Sequence, residues 1–155
     1  MPNLLPEGYE NEAVTAAELI NSSVVGYKPG VYFSHEAGGF PRDGKNRIMD
    51  ATGIESWEIW CKNCLLTERY KHLAYSTDFG IQIEPAFKAE TRAKAESILI
   101  REISEALEAD PYGRTEYVSD IKFDWSSPDA VTVDVTVKGI NDVTIDITAI
   151  LMRNR

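Results

Sequence analysis

From Val131 to Ala149 the chain reads VTVDVTVKGINDVTIDITA, and this stretch decides the fold. Valine, isoleucine or alanine fills every second position on both sides of Gly139–Asp142, and polar residues fill the positions between them. Such strict alternation is typical of an antiparallel sheet with one buried face and one solvated face. Ile121–Trp125 alternates in the same way, so we predict a three-strand meander with turns at 126–129 and 139–142.

Two amphipathic helices are predicted upstream of this sheet. The first spans about Ile54–Leu66 with Thr52 as its N-cap. Its apolar face consists of Ile54, Trp57, Cys61, Cys64 and Leu65. The second starts at Thr91 and spans about Arg92–Glu108, and its core stripe consists of Ala95, Leu99, Ile103, Ala106 and Leu107. Its opposite face carries Glu102, Glu105 and Glu108. We therefore predict an α+β fold, in which two helices pack on an antiparallel C-terminal sheet.

Shorter strands are predicted in the segments between these elements. Val31–Ser34 and Arg47–Met49 are strand candidates on either side of a glycine-containing loop at 38–44. Thr67–Gly80 is predicted to be a turn followed by a strand, because Leu73 and Tyr75 alternate with His72 and Ala74.

Residues 1–30 differ from the rest of the chain in their proline, glycine and glutamate content. Asn11–Ile20 is predicted to form one short helix, which is too short to be stable alone. We divide the chain into an N-terminal arm at 1–30 and a domain at 31–155. The arm either orders against the domain or a partner, or is a frayed terminus.

The charge of the chain excludes several kinds of partner. Twenty-five acidic residues against 16 basic residues give a formal net charge of −9. Nucleic acids and anionic lipids bind clustered lysine and arginine, so we expect neither as a partner. No apolar run approaches the roughly 20 residues of a membrane-spanning helix.

The two cysteines, Cys61 and Cys64, are interpreted as packing residues. A zinc site would need two further ligands, and the histidines, His35 and His72, stand at no recognised spacing from them. Because both cysteines fall on the apolar face of the first helix, we interpret them as small buried hydrophobic residues. No metal and no cofactor are expected.

The sequence contains none of the common catalytic motifs, such as G-x-S-x-G or H-E-x-x-H. Glu68 and Asp78 are the best available carboxylate pair for a small lysozyme-like hydrolase. Such a pair needs one carboxyl group in an apolar pocket beside a substrate cleft, and the sequence shows no sign of that cleft. Solvated or ion-paired carboxylates are the simpler interpretation, so no catalytic residue is expected.

The last strand is apolar and β-branched almost to its end. An unguarded strand of this kind can pair with another chain, and some proteins use one for strand addition to a partner. The alternative is that another strand of the same domain covers it. Both interpretations stay open at this point.

The order of elements around Trp57–Gly80 resembles a known family. This segment reads WEIWCKNCLLTERYKHLAYSTDFG: a helix ending in Leu-Leu-Thr, a Glu-Arg element, an aromatic residue and Asp-Phe-Gly. Together with Asp43–Gly44, the helical segment Ser97–Leu107 and the closing three-strand sheet, it resembles the baseplate wedge, or sheath initiator, family of contractile phage tails. The resemblance covers about 31–151 and is strongest to the branch found in prophages and phage-tail-like bacteriocins of Gram-positive bacteria.

The resemblance implies a structural baseplate subunit, present in six copies, on which the first sheath ring is laid. Its expected partners are the sheath protein, the baseplate wedge proteins and the tail tube. The family's Glu-Pro-Arg or Gly-Glu-Arg element corresponds here to Thr67–Arg69, without the proline, and implies docking on the helical core bundle of the wedge. The residues expected to bind partners are Thr67, Glu68, Arg69 and Tyr70 for the wedge, and Val143, Ile145, Ile147 and Ala149 for sheath strands.

The resemblance also implies a location. It places the protein in the baseplate of a virion or tail-like particle, assembled in the host cytoplasm. The equivalent baseplate component of a bacterial secretion system shares the fold family, so this alternative stays open beside the hydrolase.

Overall fold

The computed structural model describes residues 26–153, and this part of the chain contains three α-helices and two sheets. The helices are α1 Gly53–Leu66, α2 Glu84–Phe87 and α3 Arg92–Glu108. The strands are β1 Gly30–Val31, β2 Asp50–Ala51, β3 Thr115–Ser127, β4 Ala130–Gly139 and β5 Thr144–Met152, with a 3-10 turn Ile140–Asp142 between β4 and β5. The predicted α+β fold class is confirmed.

The strands β3, β4 and β5 form one antiparallel sheet in chain order, as the alternation predicts. β4 and β5 pair without interruption, from Lys138 opposite Thr144 to Ala130 opposite Met152. Every second residue of these two strands is buried: Val131, Val133, Val135, Val137, Ile145, Ile147, Ala149 and Leu151. The helices cover this apolar face, and the threonine and aspartate residues face solvent.

Both long helices begin at the predicted cap. Thr52 and Glu55 form a reciprocal pair, in which the Glu55 N–H donates to Thr52 Oγ1 (3.3 Å) and the Thr52 N–H donates to the Glu55 carboxylate (2.7 Å). Thr91 Oγ1 accepts from the Lys94 N–H (3.3 Å) at the start of α3. These bonds satisfy backbone donors that the first turn of a helix leaves without partners.

The core lies between the helices and the sheet, with Trp57 fully buried in it. The Trp57 indole N–H donates to Thr115 Oγ1 (3.1 Å), which ties α1 to the first residue of β3. Leu99 and Ile103 bring α3 into the same cluster. Trp60 and Trp125, which are only partly buried, pack against it from the edges.

Cys61 and Cys64 are free thiols that are fully buried on α1. Burial raises the pKa of both thiols, that of Cys64 to about 11, so neither is a thiolate at neutral pH. They pack in the core as the sequence predicts. Among residues 26–153, no group of three or more His, Cys, Asp or Glu side chains is arranged to hold a metal ion.

The prediction of a strand within Thr67–Gly80 is wrong. Residues 68–80 form a loop of successive turns, which we call the 68–80 loop. Its base is closed by a backbone bond from the Ile81 N–H to the Thr67 carbonyl (3.0 Å), and Leu73 is fully exposed. The alternation covered too few residues to distinguish a strand from a turn whose bonds are local. The short helix α2, which follows this loop, was not predicted.

The two small strands are displaced from their predicted positions. β1 and β2 pair with each other over two residues each, so the predicted strand Val31–Ser34 ends early and Arg47–Met49 precedes the real strand. The rest of the hairpin is held by isolated bridges, Ser34 to Gly39 and Arg42 to Ile48.

The described end of the predicted arm is attached to the domain. The Tyr27 ring lies 5.3 Å from the Trp57 ring, centroid to centroid, and its hydroxyl donates to the Ile140 carbonyl (2.9 Å). The predicted helix at Asn11–Ile20 lies outside the described residues.

Candidate docking site

The strand β5 is an edge of the sheet. The strand order places β4 on one side of β5, and no strand of residues 26–153 pairs with its other side. The interpretation of the last strand as open therefore holds for the described part of the chain.

The hydrogen bonds at the two ends of the β4–β5 ladder show which backbone groups face outward. The Gly139 N–H donates to the Val143 carbonyl (2.8 Å), and the Arg153 N–H donates to the Asp129 carbonyl (2.9 Å). Gly139 with Val143 and Asp129 with Arg153 are therefore hydrogen-bonded pairs. Such pairs occupy every second position of an antiparallel ladder, so the backbone groups of the odd-numbered residues of β5 bond to β4. The N–H and C=O groups of the even-numbered residues point away from β4. These residues are Thr144, Asp146, Thr148, Ile150 and Met152.

This parity refines the predicted binding residues of β5. The side chains of Ile145, Ile147 and Ala149 are buried under the helices, so they hold the strand in place and offer a partner no surface. The groups available to a partner are the outward backbone groups of the even-numbered residues. These outward groups could be assigned only from the hydrogen-bonded register at Gly139 and Val143. The pattern of residues in the sequence does not reveal that register.

The opposite edge of the sheet is less suited to extension. β3 pairs with β4 through three register irregularities, at 115–117, 118–120 and 124–127. Bulges twist an edge strand and interrupt its row of donors and acceptors, which is a known protection against strand addition. The β4–β5 register is regular throughout, so only β5 offers a continuous ladder.

Cross-strand bonds fix the solvated face beside this edge. Thr136 Oγ1 donates to Asp146, and Thr148 Oγ1 donates to Asp134, both at 2.6 Å. The two threonine–aspartate pairs lie at adjacent non-hydrogen-bonded positions of the ladder, where side chains approach most closely. They hold β5 against β4 on the side that the helices do not cover.

The predicted docking residues Thr67–Tyr70 lie at the base of the 68–80 loop. The Arg69 side chain points inward: its Nε donates to the Gly80 carbonyl (2.9 Å), and its guanidinium lies 3.7 Å from the Glu102 carboxylate. Gly80 has a φ of +94°, and a Cβ there would lie 2.7 Å from the Thr67 carbonyl oxygen, so glycine is required for this closure.

The placement of Glu102 corrects a prediction. The sequence puts Glu102 on the solvent side of α3, yet it is only 7% exposed. Its carboxylate accepts from the Gln82 N–H (3.1 Å) and faces Arg69, so it holds the loop base to α3. A helical wheel cannot show that a loop will fold over the polar face.

Arg69 is therefore a structural residue. Within the predicted docking segment Thr67–Tyr70, the side chains of Glu68 and Tyr70 are the accessible ones. Tyr70 is 62% exposed and has a φ of +70°, an unusual backbone conformation for a bulky residue. The Glu68 carboxylate lies 3.0 Å from the Lys71 ammonium in partly exposed surroundings.

We expect Arg69→Met to lower the free energy of unfolding by about 1–3 kcal/mol, because it removes the cation that faces the buried Glu102 carboxylate and leaves the Gly80 carbonyl without the Arg69 donor. The matched control is Lys71→Met, which removes a surface ion pair and should cost less than about 1 kcal/mol. Urea unfolding of both variants measures the difference. Equal stability of the two variants would contradict the structural role of Arg69.

The carboxylates proposed for hydrolysis, Glu68 and Asp78, both lie in the 68–80 loop. Glu68 is ion-paired with Lys71, and Asp78 lies exposed in the 68–80 loop. A glycosidase acid must be kept protonated by an apolar pocket, whereas the Glu68 carboxylate faces the Lys71 ammonium and Asp78 is exposed.

The structure brings the two predicted docking elements together at a groove of about 220 Å³, which we call the β5 groove. One wall is the C-terminal end of β5, and the other is formed by the end of α1 and the base of the 68–80 loop. The lining residues are Leu65, Leu66, Thr67, Glu68, Ile81, Ile83, Ile150, Leu151 and Met152.

Within residues 26–153, an open strand edge adjoins a partly apolar groove, and exposed edges of this kind are used by some proteins to bind an extended partner segment. Residues 32–142 match the family of contractile injection system sheath initiators, so the chain belongs to this family. Its members function in the baseplate, where the sheath begins, and interact with sheath and baseplate components. No curated protein matches the chain. None of the helices within residues 26–153 is long and apolar enough to span a membrane.

Proposed function

We propose that this protein initiates the sheath by donating the outer edge of β5 to a strand of the first sheath ring. The observation that carries this proposal is the regular β4–β5 ladder with outward backbone groups at Thr144, Asp146, Thr148 and Ile150. Main-chain bonds along an exposed edge give affinity for an extended segment of another chain.

The second contact is docking on the wedge through the base of the 68–80 loop. Tyr70 is exposed there, and the Arg69–Glu102 pair holds the loop base rigidly against α3. In six copies around the tail tube, individually weak contacts would add up through avidity. The assembly would take place in the host cytoplasm.

The mechanism depends only on the strand edge and the loop base. It applies equally to a phage tail, a phage-tail-like bacteriocin and the equivalent baseplate of a bacterial secretion system. Hydrolysis is not proposed, because Glu68 is ion-paired with Lys71 and Asp78 is exposed.

The test is Thr148→Pro, since its N–H points outward and proline removes that donor without breaking a backbone hydrogen bond to β4. The matched control is Thr148→Ala, which likewise removes the bond to Asp134 but keeps the N–H. Both proteins are expected to melt at similar temperatures. In cells that lack the wild-type chain, Thr148→Ala should support sheathed particles in electron micrographs, and Thr148→Pro should leave tubes without sheath. Normal sheath with a folded Thr148→Pro protein would contradict the proposal.

A further inference from the structure

The β5 groove adjoins the open edge at its C-terminal end and has an apolar rim. Leu66, Ile150 and Met152 are 49%, 56% and 63% exposed, although they lie side by side with the core residues Leu65 and Leu151. Exposed apolar side chains around one groove are a common feature of interaction sites. Among the residues that the structure describes, none fills the groove.

The geometry of strand addition determines what enters the groove. Residues directly opposite each other in neighbouring strands place their side chains on the same face of the sheet. Leu151 points to the helix-covered face, so a partner residue opposite Leu151 points there too. At that position the face is bounded by Leu65 and Ile83, which line the groove. An added strand therefore places one side chain inside it.

We propose that the β5 groove is a specificity pocket that receives one apolar side chain, aliphatic or aromatic, from the strand added to β5. The inference rests on the proposed function, since the occupant is the sheath strand. The outward backbone groups bond to any extended segment, whereas the groove discriminates by side chain. The wall of the groove beside Leu151 carries the apolar side chains of Leu65 and Ile83, so an apolar side chain is favoured there over a charged one, which would lose its hydration.

The test compares Leu66→Glu with Ile100→Glu in sheath assembly. Both residues are helical and similarly exposed, at 49% and 45%, but Ile100 lies on α3 and does not line the groove. We expect Leu66→Glu to reduce the yield of sheathed particles by about tenfold or more, because a charge would be desolvated in the groove. Ile100→Glu should remain close to wild type. Ile83→Gln, which places a polar group on the wall that bounds the helix-covered face, is the second groove variant if Leu66→Glu does not fold, and the same loss is expected.

Three outcomes are decisive. A loss with the groove variants and with Thr148→Pro, but not with Ile100→Glu, supports the specificity pocket. A loss with Thr148→Pro alone overturns the pocket and leaves strand addition standing. Normal sheath with Thr148→Pro overturns both.

A cross-linking experiment identifies the occupant directly. Benzoylphenylalanine in place of Leu66, activated by light in assembled particles, should join position 66 to one segment of the sheath protein, as read by mass spectrometry. A cross-link from this position to residues 1–25 of this chain, or to a second copy of it, would overturn the proposal. The same label at Ile100 is the control and should not join to the sheath segment.

Discussion

Arg114→Met is expected to lower the free energy of unfolding by about 3–5 kcal/mol, because it leaves the buried carboxylate of Asp110 without its counter-ion. The Arg114 guanidinium bonds to both carboxylate oxygens, at 2.8 and 2.9 Å, and the two side chains are 6% and 0% exposed. The guanidinium also lies 5.6 Å from the Trp60 ring and 5.0 Å from the Tyr112 ring, measured to the ring centroids. The pair joins the end of α3 to the start of β3.

The chain offers a matched control for this variant. Asp43 and Arg47 form an ion pair with the same spacing of four residues, at 3.1 Å, but the Arg47 side chain is 72% exposed. Arg47→Met should therefore cost less than about 1 kcal/mol. Urea unfolding of both variants gives the comparison. A loss for Arg114→Met as small as that of the control would contradict the role assigned to the buried pair.

Ile147→Pro is expected to be the most destabilising change in β5, at about 3 kcal/mol or more. The residue lies opposite Val135 at a hydrogen-bonded position of the ladder, and it is only 3% exposed. Proline removes the N–H, so the Val135 carbonyl loses its partner, at a cost of about 1–3 kcal/mol. Loss of the larger isoleucine side chain from the core adds about 2 kcal/mol.

The comparison for this variant is Thr148→Pro, one residue further on. Its N–H faces away from β4, so the ladder is preserved, and its side chain lies on the solvated face. Thermal and urea unfolding should therefore separate the two proline variants clearly. If Thr148→Pro were the less stable of the two, the even-numbered residues of β5, and not the odd-numbered ones, would be those that bond to β4.

The sheet and the long helices could be predicted because their signals are periodic over many residues. The alternation in Val131–Ala149 extends over two strands, and the α3 stripe from Ala95 to Leu107 covers more than three turns. Thr52 and Thr91 also indicated where the helices begin, since each caps its helix through a hydrogen bond from the N–H three residues further on. The buried cysteines followed from the same periodicity.

The candidate docking site could be predicted only in outline. Which groups of β5 face outward depends on the register set by the 3-10 turn, where Asn141 and Asp142 have φ values of +57° and +59°. The inward orientation of Arg69 depends on Glu102, which lies 33 positions further along the chain. Contacts at that separation have no local pattern, so the sequence favoured an exposed arginine and an exposed glutamate.

The central claim is that the outer edge of β5 carries a strand of the first sheath ring. Electron cryo-microscopy of the assembled baseplate with its first sheath ring tests this claim most directly, because backbone hydrogen bonds can be traced in the map. We expect a fourth strand bonded to Thr144, Asp146, Thr148 and Ile150, with one apolar side chain in the β5 groove. A β5 edge that faces solvent, or that is covered by this chain's own residues 1–25, would contradict it.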